Sequence, residues 1–273
     1  MNKLSVIISG VSDDKRFINK LLSETGNEIA VEIKDNILEF DNIDNKNIKA
    51  ISKIIAKSII NEFEKKILLK VINKNCNYFT KPDKVEIWKK SMHELIESEF
   101  LENSEYIYRL NLISSELEKY YKTSNILSLE GFVNFRLGEY IKDLEEIVEF
   151  SVQDYLVDLE YREFINMLKY FVSMQTSKYL SVDVFLNDNI VTLFADGKDV
   201  TEECKAEFIS EQDYNVEKID DFILNSLIVI SPKRIVIHNG MTDLTHELKM
   251  TITGVFADKV KYCSGCCKCQ KGK

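Results

Sequence analysis

The spacing of apolar residues along the chain changes twice, and these changes separate three segments. Residues 48–180 carry apolar side chains every three or four positions, which is the period of an amphipathic helix. On either side the apolar runs are shorter and partly alternate, which predicts strands connected to helices. We therefore predict a helix-dominated α+β fold with long central helices and small β-hairpin and β-α elements at both ends.

The same pattern predicts the domain organisation. It gives a small amino-terminal α/β lobe over residues 1–47, a helical region over 48–180 and a carboxy-terminal α+β region over 181–273 that ends in a cysteine-rich tail. With nine glycines, two prolines and no glycine-serine or proline-rich linker, the chain is also compatible with one compact unit.

Within the end segments, strands are predicted where short apolar runs meet turn residues. In the amino-terminal lobe, residues 4–9 predict a buried strand, 17–22 a helix, and 29–33 with 37–40 a hairpin. In the carboxy-terminal region a second hairpin, a helix, a strand and a last helix are predicted over residues 182–193, 219–230, 234–238 and 243–259.

The central segment predicts several long helices. Residues 48–72 form one amphipathic pattern, and Pro82 occupies a first-turn position of the next helix. Ser128 is predicted to cap a helix that extends to Leu159. The apolar run over 164–172 covers more than one face, which predicts a central position for that helix.

The net charge argues against a nucleic-acid partner, and the hydropathy argues against a membrane span. The chain has 36 Lys+Arg against 45 Asp+Glu, and no basic cluster offsets the formal charge of -9, so no nucleic-acid partner is expected. No run reaches the roughly 18 apolar residues of a membrane span, and the amino terminus lacks a signal-peptide pattern. We expect a cytoplasmic protein with reduced thiols.

No catalytic motif accompanies the three histidines, His93, His238 and His246. Neither His-Glu pair is followed by the second histidine of a zinc-protease helix, and the chain has no Gly-x-Ser-x-Gly elbow. Enzymatic activity therefore stays undecided, and the sequence favours a protein without it.

Four carboxylates lie three or four residues apart in the central segment: Glu139, Asp143, Glu146 and Glu149. This spacing is compatible with a metal-binding stripe, but an exposed acidic helix face has the same spacing, and di-iron bundles add Glu-x-x-His pairs that the chain lacks. The exposed face is the stronger interpretation.

The tail contains the clearest candidate for a chemical site, because Cys263, Cys266, Cys267 and Cys269 follow one another closely. Two thiolates at Cys-x-x-Cys spacing can reach one tetrahedral zinc ion, and Cys267 or Cys269 can add a third ligand. These four cysteines are the candidate metal ligands and zinc is the candidate cofactor. A fourth ligand from elsewhere is expected, with His238 as a weaker candidate beside His246 and Cys204.

Two other interpretations of the tail stay open. Cys-x-x-Cys also forms local disulfides, and Lys268 would lower the pKa of a neighbouring thiol, which favours redox chemistry. Alternatively, the tail is a reduced segment without a chemical role.

Three stretches carry a family resemblance: residues 131–140 (Gly-Phe-Val-Asn-Phe-Arg-Leu-Gly-Glu-Tyr), 162–172 (Arg-Glu-Phe-Ile-Asn-Met-Leu-Lys-Tyr-Phe-Val) and 231–238 (Ser-Pro-Lys-Arg-Ile-Val-Ile-His). They resemble the YtxC family of sporulation proteins from endospore-forming bacteria. The resemblance extends from Leu127 to the cysteine tail, whereas residues 1–125 share only length and helix content with the family.

The resemblance implies a role connected with sporulation and brings no catalytic or binding residues with it. We expect a protein of unknown molecular activity that acts through contacts with protein partners, with the acidic helix as a candidate docking face. The alternative is a thiol-dependent metal-binding or redox protein that uses the cysteine tail.

Overall fold

The computed structural model describes residues 3–8, 18, 31–34, 36–41, 43–100, 104–187, 190–208, 216–238 and 244–270. The chain forms two compact units, Met1–Val157 and Asp158–Lys273, whose boundary lies inside one long helix. The described elements confirm the helix-dominated α+β class with a small sheet toward each end. The division into segments 1–47, 48–180 and 181–273 stays a prediction.

The first unit combines a four-stranded sheet with long helices. The strands are β1 (Leu4–Ile7), β2 (Val31–Lys34), β3 (Ile37–Phe40) and β4 (Ile126–Ser128), in the order β2-β3-β1-β4. The helices are α1 (Asn45–Asn75), α2 (Lys81–Phe100), α3 (Ser104–Tyr121), α4 (Leu129–Arg136) and the first part of α5 (Gly138–Met174).

The strands of this unit confirm two predictions, the strand near residues 4–9 and the hairpin, and add the unpredicted strand β4. β2 and β3 form the predicted antiparallel hairpin. β1 pairs antiparallel with β3 and parallel with β4, which the sequence pattern did not indicate. The predicted helix over 17–22 lies outside the described residues except for Ile18.

Helix α1 shows why the apolar period was informative. The Asp44 carboxylate accepts a hydrogen bond from the Asn47 amide at 2.7 Å and caps the helix. Ile51, Ile55 and Ile59, spaced by four residues, are fully buried. The cap and the apolar stripe together place this helix against the core of the unit.

The predicted continuous helix from Ser128 to Leu159 is wrong. Ser128 does cap a helix, by accepting a hydrogen bond from the Gly131 amide, but α4 ends at Arg136, and the φ of -98° and ψ of 37° at the next residue, Leu137, are not helical. The chain resumes as α5, which continues for 37 residues through both apolar runs. Gly138 follows directly and is a weak helix former, but the apolar period continues across it, since Leu137 and Tyr140 are both buried.

The second unit contains a five-stranded mixed sheet in the order β7-β6-β5-β8-β9. The strands are β5 (Ser181–Asn187), β6 (Ile190–Ala195), β7 (Lys198–Asp199), β8 (Arg234–His238) and β9 (Val260–Cys263). The helices are the second part of α5, α6 (Thr201–Phe208), α7 (Val216–Ile230), α8 (His246–Phe256) and α9 (Cys267–Gln270), with a 3-10 turn at Ala257–Lys259.

The pairing in this sheet determines where its side chains converge. β5 and β6 form the predicted antiparallel hairpin, β8 pairs parallel with β5, and β9 pairs parallel with β8. The first residues of β8 and β9 therefore lie at one edge of the sheet, and their last residues lie at the opposite edge.

The two faces of this sheet have different environments. Val182, Val184, Ile235 and Ile237 are buried in a core that includes apolar residues of α7 and α8. Because side chains alternate along a strand, the intervening residues of β5 and β8 lie on the other face.

Among the described residues, no helix is long and apolar enough to cross a membrane.

The turn between β6 and β7 yields a prediction about pH. The Asp196 carboxylate accepts hydrogen bonds from the amides of Leu180 at 3.0 Å and Ser181 at 2.8 Å, which lower its pKa. We expect Asp196→Asn to lower the unfolding temperature at neutral pH, because asparagine tolerates the local φ of 47° but lacks the charge.

The sign of this effect follows from the lowered pKa. The carboxylate contributes its stability above the unfolded-state pKa of about 4, and the contribution disappears as the pH falls through the lower folded-state pKa. Thermal unfolding of both proteins should therefore converge in acid. A difference that is constant between neutral and acidic pH would contradict the role of the charge.

Candidate metal centre

Two neighbouring strand ends provide the first pair of candidate ligands. His238 is the last residue of β8 and Cys263 the last residue of β9, and the two are register partners in the parallel pair. Helix α8 connects the strands, so this is a β-α-β arrangement. The parallel pairing places an imidazole and a thiol side by side at the carboxyl edge of the sheet.

The tail then turns back toward His238. After Cys263 the chain reverses at Gly265, whose φ of 120° is accessible to glycine and rarely to other residues. The short helix α9 follows, and the turn and helix bring Cys266 and Cys269 to the histidine. Gly265 therefore permits the chain reversal that brings Cys266 and Cys269 to His238.

The ligand atoms of His238, Cys263, Cys266 and Cys269 all lie within 4.8 Å of one another. His238 Nδ1 is 3.3 Å from Cys269 Sγ and 3.5 Å from Cys266 Sγ. Cys269 Sγ is 3.8 Å from Cys263 Sγ and 3.6 Å from Cys266 Sγ. One nitrogen and three sulfurs therefore form a compact group.

These separations resemble those of a tetrahedral zinc site. Zinc bonds of about 2.3 Å to sulfur and about 2.05 Å to nitrogen place two sulfurs ~3.8 Å apart and a nitrogen and a sulfur ~3.5 Å apart. Thiolate-rich sets with an imidazole suit zinc, and three cysteines with one histidine is a known structural combination. The geometry is compatible with one zinc ion at the centre of the group.

A second layer of side chains holds the histidine. His238 Nε2 lies 2.9 Å from Asp183 Oδ1, and the Phe185 ring stacks on the imidazole with centroids 4.2 Å apart and planes 5° apart. Lys268 donates a hydrogen bond to Asp183 Oδ2 at 2.9 Å. With these neighbours His238 is only 4% exposed, and its Nδ1 atom lies next to the thiols.

The environment shifts the pKa values of two thiols in opposite directions. Hydrogen bonding to the backbone of Cys269 is the main reason that the pKa of Cys266 falls to about 6. A backbone hydrogen bond at Cys266 lowers the pKa of Cys269, but burial and hydrogen bonds to Cys266 and Cys263 outweigh it and raise the pKa. Of these two thiols, Cys266 is therefore the one more readily present as thiolate at neutral pH.

The Asp183 carboxylate stays ionised despite its partial burial. Burial alone raises its pKa, but hydrogen bonds from His238 and Lys268 outweigh this effect and hold the pKa below its ordinary value. A negative charge therefore lies beside His238, on the side of the ring away from the thiols.

The structure brings together four of the five predicted site residues: His238, Cys263, Cys266 and Cys269. Cys267 begins α9, but its side chain lies outside the described part of the structure. His246 at the start of α8 and Cys204 in α6 do not belong to the group, so His238 is the better of the candidates for a fourth ligand. The assignment of these residues to a metal stays a proposal.

Sequence reasoning missed Asp183 and Phe185. A signal was present, because Asp183 is the one charged residue in β5 and alternation places it on the same face as Phe185. The sequence did not indicate that this face meets His238, since that contact depends on the pairing of β5 with β8.

The acidic residues of α5 form a different feature. Asp143 and Glu146 line a groove of about 470 Å³ in the first unit, together with Glu94, Glu105, Tyr108, Arg109, Ile147 and Phe150. Burial, with the charges of Glu146 and Glu139, raises the pKa of Asp143. Among the described side chains, the converging group of possible metal ligands is the histidine-cysteine cluster, so the predicted exposed acidic face remains the better interpretation of this helix.

Comparison with known proteins identifies the family. The model of the YtxC-like family matches residues 49–261, which is most of the chain and begins well before Leu127. The match includes Asp183 and His238 and ends two residues before Cys263. No curated protein and no solved structure gives a significant match. The chain belongs to the YtxC-like family.

Proposed function

We propose that the second unit binds one zinc ion through His238 Nδ1 and the Sγ atoms of Cys263, Cys266 and Cys269. The observation that carries this proposal is the convergence of one nitrogen and three sulfurs, with four of their six separations close to tetrahedral values and all six within 4.8 Å. Four protein ligands leave no open position for a substrate, so the role of the ion is structural.

The ion would stabilise two short elements, β9 and α9, that make few stabilising contacts otherwise. β9 has four residues and lies at the edge of its sheet, with a pairing partner on one side. α9 also has four residues, too few for a stable isolated helix. A zinc ion connects both elements to β8, and part of its binding free energy becomes folding free energy of this unit.

The first test is the metal content of the protein. Full-length chain purified under reducing conditions without chelator is compared with a chain truncated after Tyr262, using elemental analysis. We expect close to one zinc ion per full-length chain and none in the truncated one. Full-length protein without zinc, after addition of excess zinc and removal of the unbound ion, would contradict the proposal.

The redox alternative is supported by the lowered pKa of Cys266 and by its Sγ distance of 3.6 Å to Cys269. In this reaction the two thiols would lose two protons and two electrons to glutathione disulfide, forming one protein disulfide and two molecules of glutathione. Titrating the thiols of zinc-loaded protein after exposure to glutathione disulfide separates the functions: a protected cluster supports zinc, and rapid loss of two thiols supports redox chemistry.

We also propose that the protein acts in the cytoplasm during sporulation, through contacts with protein partners. Membership of the YtxC-like family supports the link to sporulation. The charged groove beside α5 supports a basic partner surface, because it is lined by Glu94, Glu105, Asp143 and Glu146.

Sporulation efficiency tests this proposal in the encoding bacterium. Deletion of the gene should lower the efficiency, and the wild-type chain should restore it. The double variant Glu94→Lys with Glu146→Lys should restore less, whereas Glu202→Lys, on an exposed position of α6, should restore fully. Unchanged sporulation after deletion would contradict the assignment.

A further inference from the structure

We infer that Asp183 is a positioning residue of the zinc centre, which holds His238 in the tautomer that ligates through Nδ1 and anchors the cysteine turn through Lys268. This inference rests on the proposed zinc site. It adds a residue far from the cysteines in sequence, on the central strand of the sheet.

The tautomer argument begins with the two ring nitrogens of His238. Nδ1 lies near the sulfurs of Cys266 and Cys269, whereas Nε2 lies 2.9 Å from the Asp183 carboxylate. A neutral imidazole carries one N–H, and the nitrogen that ligates a metal must be the other one. An ionised carboxylate only accepts hydrogen bonds, so it favours the proton on Nε2 and leaves Nδ1 free for the ion.

The second oxygen of the same carboxylate reaches the tail. Lys268 lies between two of the cysteines and donates to Asp183 Oδ2 at 2.9 Å. Asp183 thereby contacts a ligand from β8 and the helical turn that carries Cys269. One side chain thus connects the two parts of the chain that supply the ligands.

The two contacts of Asp183 should differ in strength. His238 is buried at a side-chain exposure of 4%, whereas Lys268 is exposed at 59%. Ion pairs with exposed lysines contribute little because water and salt screen them. The contact with His238 is therefore the important one, and the contact with Lys268 is secondary.

The position of Asp183 suits this task because its strand is held on both sides. β5 is hydrogen-bonded to β6 and to β8, and Phe185, two residues further along, stacks on the His238 ring. Carboxylate and ring are thus oriented by the sheet before any ion binds. Supporting groups on regular secondary structure position metal ligands more accurately than groups on loops.

Charge balance also accounts for Lys268. Three thiolates and a neutral imidazole around a divalent ion leave one excess negative charge, and a carboxylate next to them adds another. The Lys268 ammonium group offsets that second charge.

The test is zinc affinity, measured on the full chain by competition with a chromophoric chelator under reducing conditions. Asp183→Asn should weaken zinc binding by about 10- to 100-fold, the usual effect of losing an outer-shell partner of a ligand. Lys268→Met should weaken it less than about tenfold. Asp258→Asn, an exposed aspartate in the 3-10 turn of the same unit, should leave the affinity unchanged.

A second readout separates positioning from general stability. Nitrogen NMR of the His238 ring in metal-free, reduced protein should show the tautomer with the proton on Nε2, and Asp183→Asn should lower the population of that tautomer. Asp183→Glu keeps the charge and should restore part of the affinity that Asp183→Asn loses. Circular dichroism verifies that each variant is folded.

The outcomes distinguish the two proposals. Wild-type protein that binds zinc, together with an Asp183→Asn variant of equal affinity and equal Nε2–H signal, would overturn the role of Asp183 and leave the zinc site in place. Wild-type protein that binds no zinc overturns both. Weaker binding in Asp183→Asn with partial restoration by Asp183→Glu supports the inference.

Discussion

Replacing Cys266 by serine is expected to remove zinc from the protein and to lower the temperature of its zinc-dependent unfolding transition. At free zinc of about 1,000 times Kd, the ion stabilises the folded state by about 4 kcal/mol. For a unit of this size the loss corresponds to a shift on the order of 15 °C. Differential scanning calorimetry of the full chain, with and without zinc, measures the shift.

Two cysteine controls make this result specific. Cys204→Ser changes a cysteine outside the cluster and should keep both zinc and the transition temperature. Cys267→Ser distinguishes the geometry-based ligand set from the wider set predicted from the sequence, and we expect it to keep zinc. A Cys266→Ser protein with wild-type zinc content would rule out the proposed coordination.

Replacing Arg109 by methionine is expected to destabilise the first unit by about 3 to 5 kcal/mol. Arg109 Nε lies 3.3 Å from Glu64 Oε1, and Tyr140 donates a hydrogen bond to the same oxygen at 2.8 Å. All three side chains are buried. Removing the guanidinium leaves the Glu64 carboxylate buried without its cation, and such changes have effects of this size.

Urea unfolding measures this loss, and an exposed lysine-carboxylate pair on α3, the helix that carries Arg109, provides the control. Lys119 lies 2.5 Å from Glu116 on α3, but its side chain is 68% exposed. Lys119→Met should leave the unfolding midpoint unchanged, because exposed pairs are screened by water. If Arg109→Met and Lys119→Met both unfold at the wild-type urea concentration, the buried contact between Arg109 and Glu64 does not stabilise the protein.

Elements that depend on neighbouring residues were predicted correctly from the sequence, whereas elements that depend on residues distant in sequence were missed. The helix after Asp44 and the hairpin of β5 and β6 were predicted, since caps, turns and apolar periods act within a few residues. β4 and β9 were missed because each is short and pairs with a strand distant in sequence. The break at Leu137 was missed because the apolar period continues across it, although the following Gly138 is a weak helix former.

The candidate site shows the same division. The cysteines stood out by their density, and His238 by its position at the end of a predicted strand. Choosing His238 over His246 required the parallel pairing of β8 with β9, which places His238 opposite Cys263. Asp183 required a further pairing, that of β5 with β8, which no local pattern could reveal.

The sequence by itself determined the helix-dominated α+β class, most of the long helices, both hairpins and the tail as the place where chemistry is concentrated. It also carried the resemblance to the YtxC-like family, which the family match confirmed. Only the tertiary structure decided which histidine meets which cysteines and which carboxylate supports them. The physical reason is that apolar periods and helix caps depend on residues a few positions apart. Strand pairing instead brings together side chains that are far apart in the sequence.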